Sequence, residues 1–143
     1  MLALKKLLVA FDGSPSSYKA FDTALEMSNI CRGASHEIYV LAIAQPPEPA
    51  DLVEMDAIID AATEHYEELF KGLRDKAARA GDILTTEVVV GHPADQIVHY
   101  AAEKRCDMIL MGQRGKTRVE QWLLGSVSKR VAAYAHCSVL IVK

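Results

Sequence analysis

Leu7-Leu8-Val9-Ala10-Phe11, followed by Asp12-Gly13-Ser14-Pro15, is the stretch on which the fold turns. Five apolar residues in a row, with no polar residue at alternate positions, describe a strand covered on both faces, and the Asp-Gly-Ser-Pro punctuation ends it. Ser14 is suited to cap a helix and Pro15 to take its first position. Beyond them Phe21, Ala24, Leu25 and either Met27 or Ser28 keep helical spacing to about Cys31, where Arg32-Gly33 stops the pattern.

The same alternation recurs along the chain. Ile38-Tyr39-Val40-Leu41-Ala42-Ile43 is a second apolar, β-branched run, closed near Ala44 by Gln45-Pro46-Pro47-Glu48-Pro49. Met55, Ile59, Ala62, Tyr66, Leu69, Leu73 and Ala77 then recur every three or four residues and describe a long amphipathic helix ended by Gly81. A helix over the whole of 50–80 would measure ~45 Å, more than a domain of this size needs, so a break or irregular start before about Ile58 is expected. Val88-Val89-Val90 is the third strand, stopped by Gly91-His92-Pro93, and Ala94, Ile97, Val98, Ala101 and Ala102 form the next helical stripe. Met108-Ile109-Leu110-Met111 and Ser138-Val139-Leu140-Ile141-Val142 are the fourth and fifth strands, with a last helix opening at Gly125-Ser126-Val127-Ser128. Strand and helix alternate throughout, which predicts an α/β fold: one doubly wound parallel sheet with helices on both faces, a single domain over 1–143.

Bulk composition narrows the function. The chain has 143 residues, half of them apolar, and 16 Lys+Arg against 19 Asp+Glu give a net charge of −3. That balance offers no general attraction to nucleic acid or anionic lipid, and no apolar run approaches the ~20 residues of a membrane span. Neither partner is expected. The N-terminal Met1-Leu2-Ala3-Leu4-Lys5-Lys6 shows no secretory signal, and three scattered cysteines, Cys31, Cys106 and Cys137, suit a reducing compartment, so the cytoplasm is the expected location. His36, His65, His92, His99 and His136 lack metal-ligating spacing and read, for the most part, as surface histidines.

Chemistry in such a sheet belongs beyond the carboxyl ends of the strands, where the winding reverses. There the sequence offers Met111-Gly112-Gln113-Arg114-Gly115-Lys116-Thr117-Arg118 and, further on, Gly125-Ser126-Val127-Ser128. Glycines let backbone amides approach a ligand, and a Gly-Ser helix entry adds free amides, a hydroxyl and the positive end of the helix dipole. These are the elements of a phosphate cradle. Arg114, Lys116 and Arg118 make the loop basic, with no acid before Glu120. It is not a Walker A loop, because the position five before Gly115 is Leu110 and not glycine. Nor does the first strand run into a Gly-x-Gly-x-x-Gly dinucleotide turn.

Gly112-x2-Gly115-x9-Gly125-Ser126, with Asp12-Gly13-Ser14 after the first strand, resembles the nucleotide-binding branch of the universal stress protein family. The likeness extends over essentially the whole chain, including Val90-Gly91-His92-Pro93, the Asp107–Gly112 strand exit and the terminal Val139–Lys143. It implies an adenine nucleotide alpha hydrolase-like sheet of strand order 3-2-1-4-5, a homodimer, and ATP or a related adenine nucleotide between the first and fourth strands, with Mg²⁺ or Mn²⁺ as the accompanying ion. By the same resemblance Asp12 would face the nucleotide and hold the metal, and the backbone around Ile43 would meet the adenine edge. Met111 and Gly112 would pass beneath the ribose and phosphates, while Arg114, Gly115, Gly125, Ser126 and Val127 would complete the phosphate site. Gln113 departs from the serine that many relatives carry.

Each of these residues also has a purely structural reading. Gly112 could end a strand, Gly125 could mark a bend, and Asp12 could merely cap the following helix instead of holding a metal. Ser14 reads as a cap, Trp122 as a packing anchor, and Ser128, Lys129 and Arg130 as the solvated first turn of the last helix. No set of nucleophile, base and orienting acid can be assembled, so no residue is assigned as catalytic. The expected function is a nucleotide-dependent sensor or switch, in which ATP orders the segment 112–128 and changes the surface offered to a protein partner. One alternative is a slow ATPase or autophosphorylating enzyme using Asp12 with Mg²⁺ and Ser126 or Thr117. Another is a dimeric interaction module with no ligand. An apolar C-terminal strand at a sheet edge invites pairing with its twin in either case.

Overall fold

The computed structural model describes residues 4–30, 36–45, 51–113 and 125–143. Five strands alternate with four helices: β1 Lys6–Ala10, α1 Pro15–Ile30, β2 Glu37–Ala44, α2 Leu52–Ala80, β3 Ile83–Val90, α3 Pro93–Glu103, β4 Met108–Gly112, α4 Ser126–Tyr134 and β5 Ser138–Val142. All four strand pairings are parallel, in the order β3-β2-β1-β4-β5. Strand β1 is central, with Leu7 level with Ile38 on one side and Met108 on the other.

The apolar runs split between two faces as strand geometry requires. Leu7, Val9, Ile38, Val40 and Leu110 turn to one side, where Phe21 and Ala24 of α1 and Phe70, Leu73 and Ala77 of α2 cover them. Leu8, Leu41, Ile109 and Met111 turn to the other, against Ala94, Ile97 and Ala101 of α3 and Val131 of α4. Continuous apolar strands are thus the consequence of two separate cores. At the opposite end from the strand exits, Asp107 fastens the sheet, its carboxylate accepting the amides of Lys5 and Lys6 at 2.9 Å each.

Two elements differ from the sequence reading. Helix α2 is unbroken from Leu52 to Ala80, without the interruption expected before Ile58. Asp51 caps it: its side chain accepts the Glu54 amide at 2.7 Å while the Glu54 carboxylate accepts the Asp51 amide, a reciprocal box that starts the helix well before it reaches the core. Its length is accommodated because only Tyr66, Phe70, Leu73 and Ala77 are buried, all in its second half. Gly81 ends it in the left-handed conformation, as the sequence indicated. Strand β3 begins at Ile83, not Val88, because it is an edge strand without a fully buried position, and Thr85, Thr86 and Glu87 interrupt the apolar signal without interrupting the ladder.

Candidate functional site

The winding reverses beside β1: the chain moves outward through β2 to β3, then crosses back to β4. The loops leaving β1 and β4 part at that point, and a cleft of about 410 Å³ lies at the carboxyl ends of the strands. It is within the size range of small-molecule pockets.

After β1, the turn is built by two side chains. Asp12 Oδ1 accepts the Ser14 amide at 2.9 Å, and Gly13 supplies the positive φ of 81° that closes the turn. Ser14 then caps α1, its hydroxyl accepting the Ser17 amide at 3.3 Å while its carbonyl accepts the Ser17 hydroxyl at 2.8 Å. Asp12 thus builds the turn, while Ser14 and not Asp12 caps the helix, and Asp12 also lines the cleft, where it is the one carboxylate among the described lining residues.

After β4, Gly112 passes directly under the start of α1. A Cβ there would lie 2.6 Å from the Ser16 Cβ and 2.9 Å from the Ser16 carbonyl carbon. No side chain fits without moving the helix. The chain leaves at Gln113, whose amide donates to the Val142 carbonyl at 2.9 Å, and returns at Gly125, whose amide donates to the Gln113 carbonyl at 3.1 Å. The departure and re-entry points of the basic segment are therefore tied together at the mouth of the cleft.

Re-entry starts α4. Its N-cap, Gly125, has φ −62° and ψ 157° and provides no capping side chain, and there is no acidic residue in the first turn. Helix α1 differs in this respect, since Ser14 caps it, and α3 begins with Pro93 and has Asp95 in its first turn. Of the helices that open on the cleft, α4 thus presents its amide end least compensated. A Cβ added at Gly125 would meet only ordinary contact, 3.5 Å from the Gln113 carbonyl oxygen, so packing does not require glycine there.

Asp12, Ile43, Met111, Gly112, Gly125, Ser126 and Val127, the site residues suggested by the sequence, all line this cleft. Arg114 and Gly115, together with Lys116, Thr117, Arg118 and Trp122, lie outside the described residues, as does Cys31. Ser128 corrects the sequence reading. It is not solvated but buried, donating its hydroxyl to the Gly112 carbonyl at 3.1 Å and so pinning α4 to the end of β4. Lys129 and Arg130 are exposed as expected, with Arg130 3.5 Å from Asp95. His36 is likewise buried, whereas the other four histidines are exposed.

Tyr66, Ser17, Gln45, Pro93 and Ile97 also line the cleft and were not singled out by sequence. Ser17 was accessible to inference, being one turn into a helix that starts at the cleft. Tyr66 was not, because its place in the α2 stripe is that of any core residue. It stacks on Phe70, with ring centroids 6.2 Å apart, and meets Phe11 edge-on at 6.4 Å. No group of three or more His, Cys, Asp or Glu able to hold a metal occurs among the described residues. Asp12 could therefore hold a divalent ion only with most ligands supplied by another molecule or by water.

An open parallel sheet with a cleft at its winding reversal, and an uncompensated helix N-terminus in the wall, defines a doubly wound α/β protein suited to a small anionic ligand. The chain belongs to the universal stress protein family, whose model matches residues 3–143. It is 35% identical over 143 residues to the universal stress protein MJ0531 of Methanocaldococcus jannaschii, covering 97% of this chain and 82% of that protein. Among solved structures it resembles the hypothetical protein MJ0577, with a TM-score of 0.86 and 26% identity over 98% of this chain and 96% of the other. A universal stress protein in complex with cAMP is 28% identical, with a TM-score of 0.67 over 98% of this chain and 97% of that one. The five-stranded order 3-2-1-4-5 is thus the architecture of the family.

Proposed function

We propose that this chain, acting as a single domain over 1–143, binds an adenine nucleotide in the cleft between β1 and β4, with ATP as the principal ligand. The observation that carries the reading is the N-terminus of α4, open to the cleft and, among the described residues, capped by no side chain. The amides of Ser126 and Val127 would meet phosphate oxygens, and the Ser126 hydroxyl would add a further donor. Gly125, for which packing gives no reason, would let the phosphates approach the backbone. Arg114 and Lys116, which follow Gln113 in sequence, would bring charge to the same phosphates, and Gly115 would offer a backbone amide.

Asp12 suits a metal carried in by the nucleotide, since Mg²⁺ is commonly held by one or two carboxylates plus phosphates and water. Met111 and Gly112 would pass beneath the ribose and the backbone at Ile43 would meet the base. The cAMP complex of a relative supports an adenine ligand for this cleft. We read the protein as a nucleotide-dependent sensor in the stress response, cytoplasmic, acting through a protein partner and as a homodimer paired along β5. That strand is a sheet edge made of Ser138-Val139-Leu140-Ile141-Val142.

The test is native mass spectrometry of gently purified protein, then titration with ATP and Mg²⁺ of the wild type, Gly125→Val and Gly115→Val. Saturable binding, weakened at least tenfold in the variants with their melting temperatures retained, is expected. Equal affinity in wild type and Gly125→Val would remove the cradle from α4.

A further inference from the structure

Helix α2 runs past the core that it covers. Its buried residues begin at Tyr66, and the part from Leu52 to Ala62 extends ~15 Å beyond at 1.5 Å per residue. The apolar stripe nevertheless continues along it. Leu52, Met55, Ile59 and Ala62 keep the three- and four-residue spacing that leads to Tyr66 and Phe70, and Ile58 lies beside them. None of these five belongs to either hydrophobic cluster of the two faces. Leu52 is 80% exposed, its neighbour Val53 78%, and the others are only partly buried. A helix face with the pattern of a core but without one is a surface that gains by being covered.

Charge indicates what covers it. From Asp51 to Glu68 there are seven acidic residues and no Lys or Arg. Four of the seven are engaged: Asp51 and Glu54 in the cap, Glu67 with Arg74 at 3.0 Å and Glu68 with Lys71 at 2.8 Å. Asp56, Asp60 and Glu64 make no ion pair among the described residues, and on successive turns they wind outward from the stripe, with Asp56 nearest to it and Asp60 next. An anionic membrane would be repelled by these acids, and a second copy laid on the same face would bring two acidic sets together. A basic amphipathic helix satisfies both features, its apolar residues meeting the stripe and its Lys or Arg residues the acids.

We propose that the N-terminal overhang of α2 is a docking site for a basic amphipathic helix of a partner protein. None of Leu52, Met55, Ile58, Ile59 or Ala62 lines the cleft, although Tyr66, to which the stripe leads, does. The partner helix needs about three turns, with apolar residues at i, i+3 or i+4, and i+7, to match the length from Leu52 to Ala62.

The experiment titrates the full chain, without nucleotide, into a fluorescent synthetic helix with leucines at i, i+3, i+4 and i+7 and lysines elsewhere. A scrambled peptide of the same composition is the control, and anisotropy is the readout. The variants are Ile59→Ser and the double charge reversal Asp56→Lys with Asp60→Lys, all at positions outside the packed core. Saturable binding is expected, weakened about tenfold by scrambling and by each variant, with melting temperature unchanged. Equal binding of the scrambled peptide, or indifference to the charge reversal, would reduce the effect to diffuse electrostatics and overturn the proposal. Absence of binding would also overturn it. So would self-association or binding to phosphatidylserine vesicles that is lost in Ile59→Ser, which would assign the stripe to a second copy or to a membrane.

Discussion

Two glycines of one motif stand in opposite physical situations. At Gly112 the space for a Cβ is already filled by Ser16, so Gly112→Ala forces α1 and β4 apart and should cost about 1–3 kcal/mol, the usual range for overpacking. At Gly125 a methyl group makes ordinary contact, and Gly125→Ala should change stability by no more than about 0.5 kcal/mol. Urea denaturation of the two variants checks the contrast, and comparable losses would contradict it. The sequence spelled both glycines identically and could not distinguish them, because the difference lies in what approaches from another part of the chain. At Asp12 the contact is local, its turn partner Ser14 being two residues away, yet the cap expected of Asp12 falls to Ser14, because Asp-Gly-Ser offers two side chains that can take it. Titration follows similar local logic. Burial, reinforced by the nearby Cys137, pushes the Cys106 thiol from its usual 9.0 to about 12, and a hydrogen bond to Glu37, with burial, raises Tyr39 from 10.0 to about 12. Both groups hold their protons more tightly when folded, so their contribution is complete below pH 9 and is lost as pH rises toward 12. The urea midpoint should fall across that window, and less steeply in a Cys106→Ala, Tyr39→Phe double variant.

Among the elements, those with uniform surroundings were the most readable. Strands β1, β2 and β4 are enclosed on both faces, and their apolar runs mark them to within about a residue. Strand β3 lost its first half to the reading because an edge position permits Thr85, Thr86 and Glu87, and helix α2 was expected to break because its length was judged against the core alone. A capping box specifies a helix start whether or not anything packs there. Asp51→Ala should therefore fray the first turns of α2 locally, with the Met55 amide exchanging faster. The local cost should be about 0.5–2 kcal/mol, with little change in global melting, since the core begins at Tyr66. An equally large fall in global stability would mean that the overhang is coupled to the rest of the fold. The last helix was placed correctly from its Gly-Ser entry, but the burial of Ser128 was hidden, because the carbonyl it serves belongs to Gly112 at the end of another strand.

For the whole molecule, the open edge at β5 is the feature that bears on assembly. If two copies pair along it, light scattering at micromolar concentration should give twice the chain mass, and amides of β5 should lose exchange protection on dilution. A monomer mass under those conditions would leave the edge unpaired. The winding that creates the cleft has a further consequence, in time instead of space. Strand β1 lies at the centre of the sheet but is made before both strands that flank it, and the Asp107 carboxylate that fastens Lys6 is 101 residues further on. At synthesis rates of about 5–20 residues per second, one edge of the central strand waits roughly 5–20 s for β4 to arrive. On the ribosome the central strand of the finished protein is for that interval an unpaired edge, and the nascent chain is then an apolar client for whatever holds unfinished sheets apart.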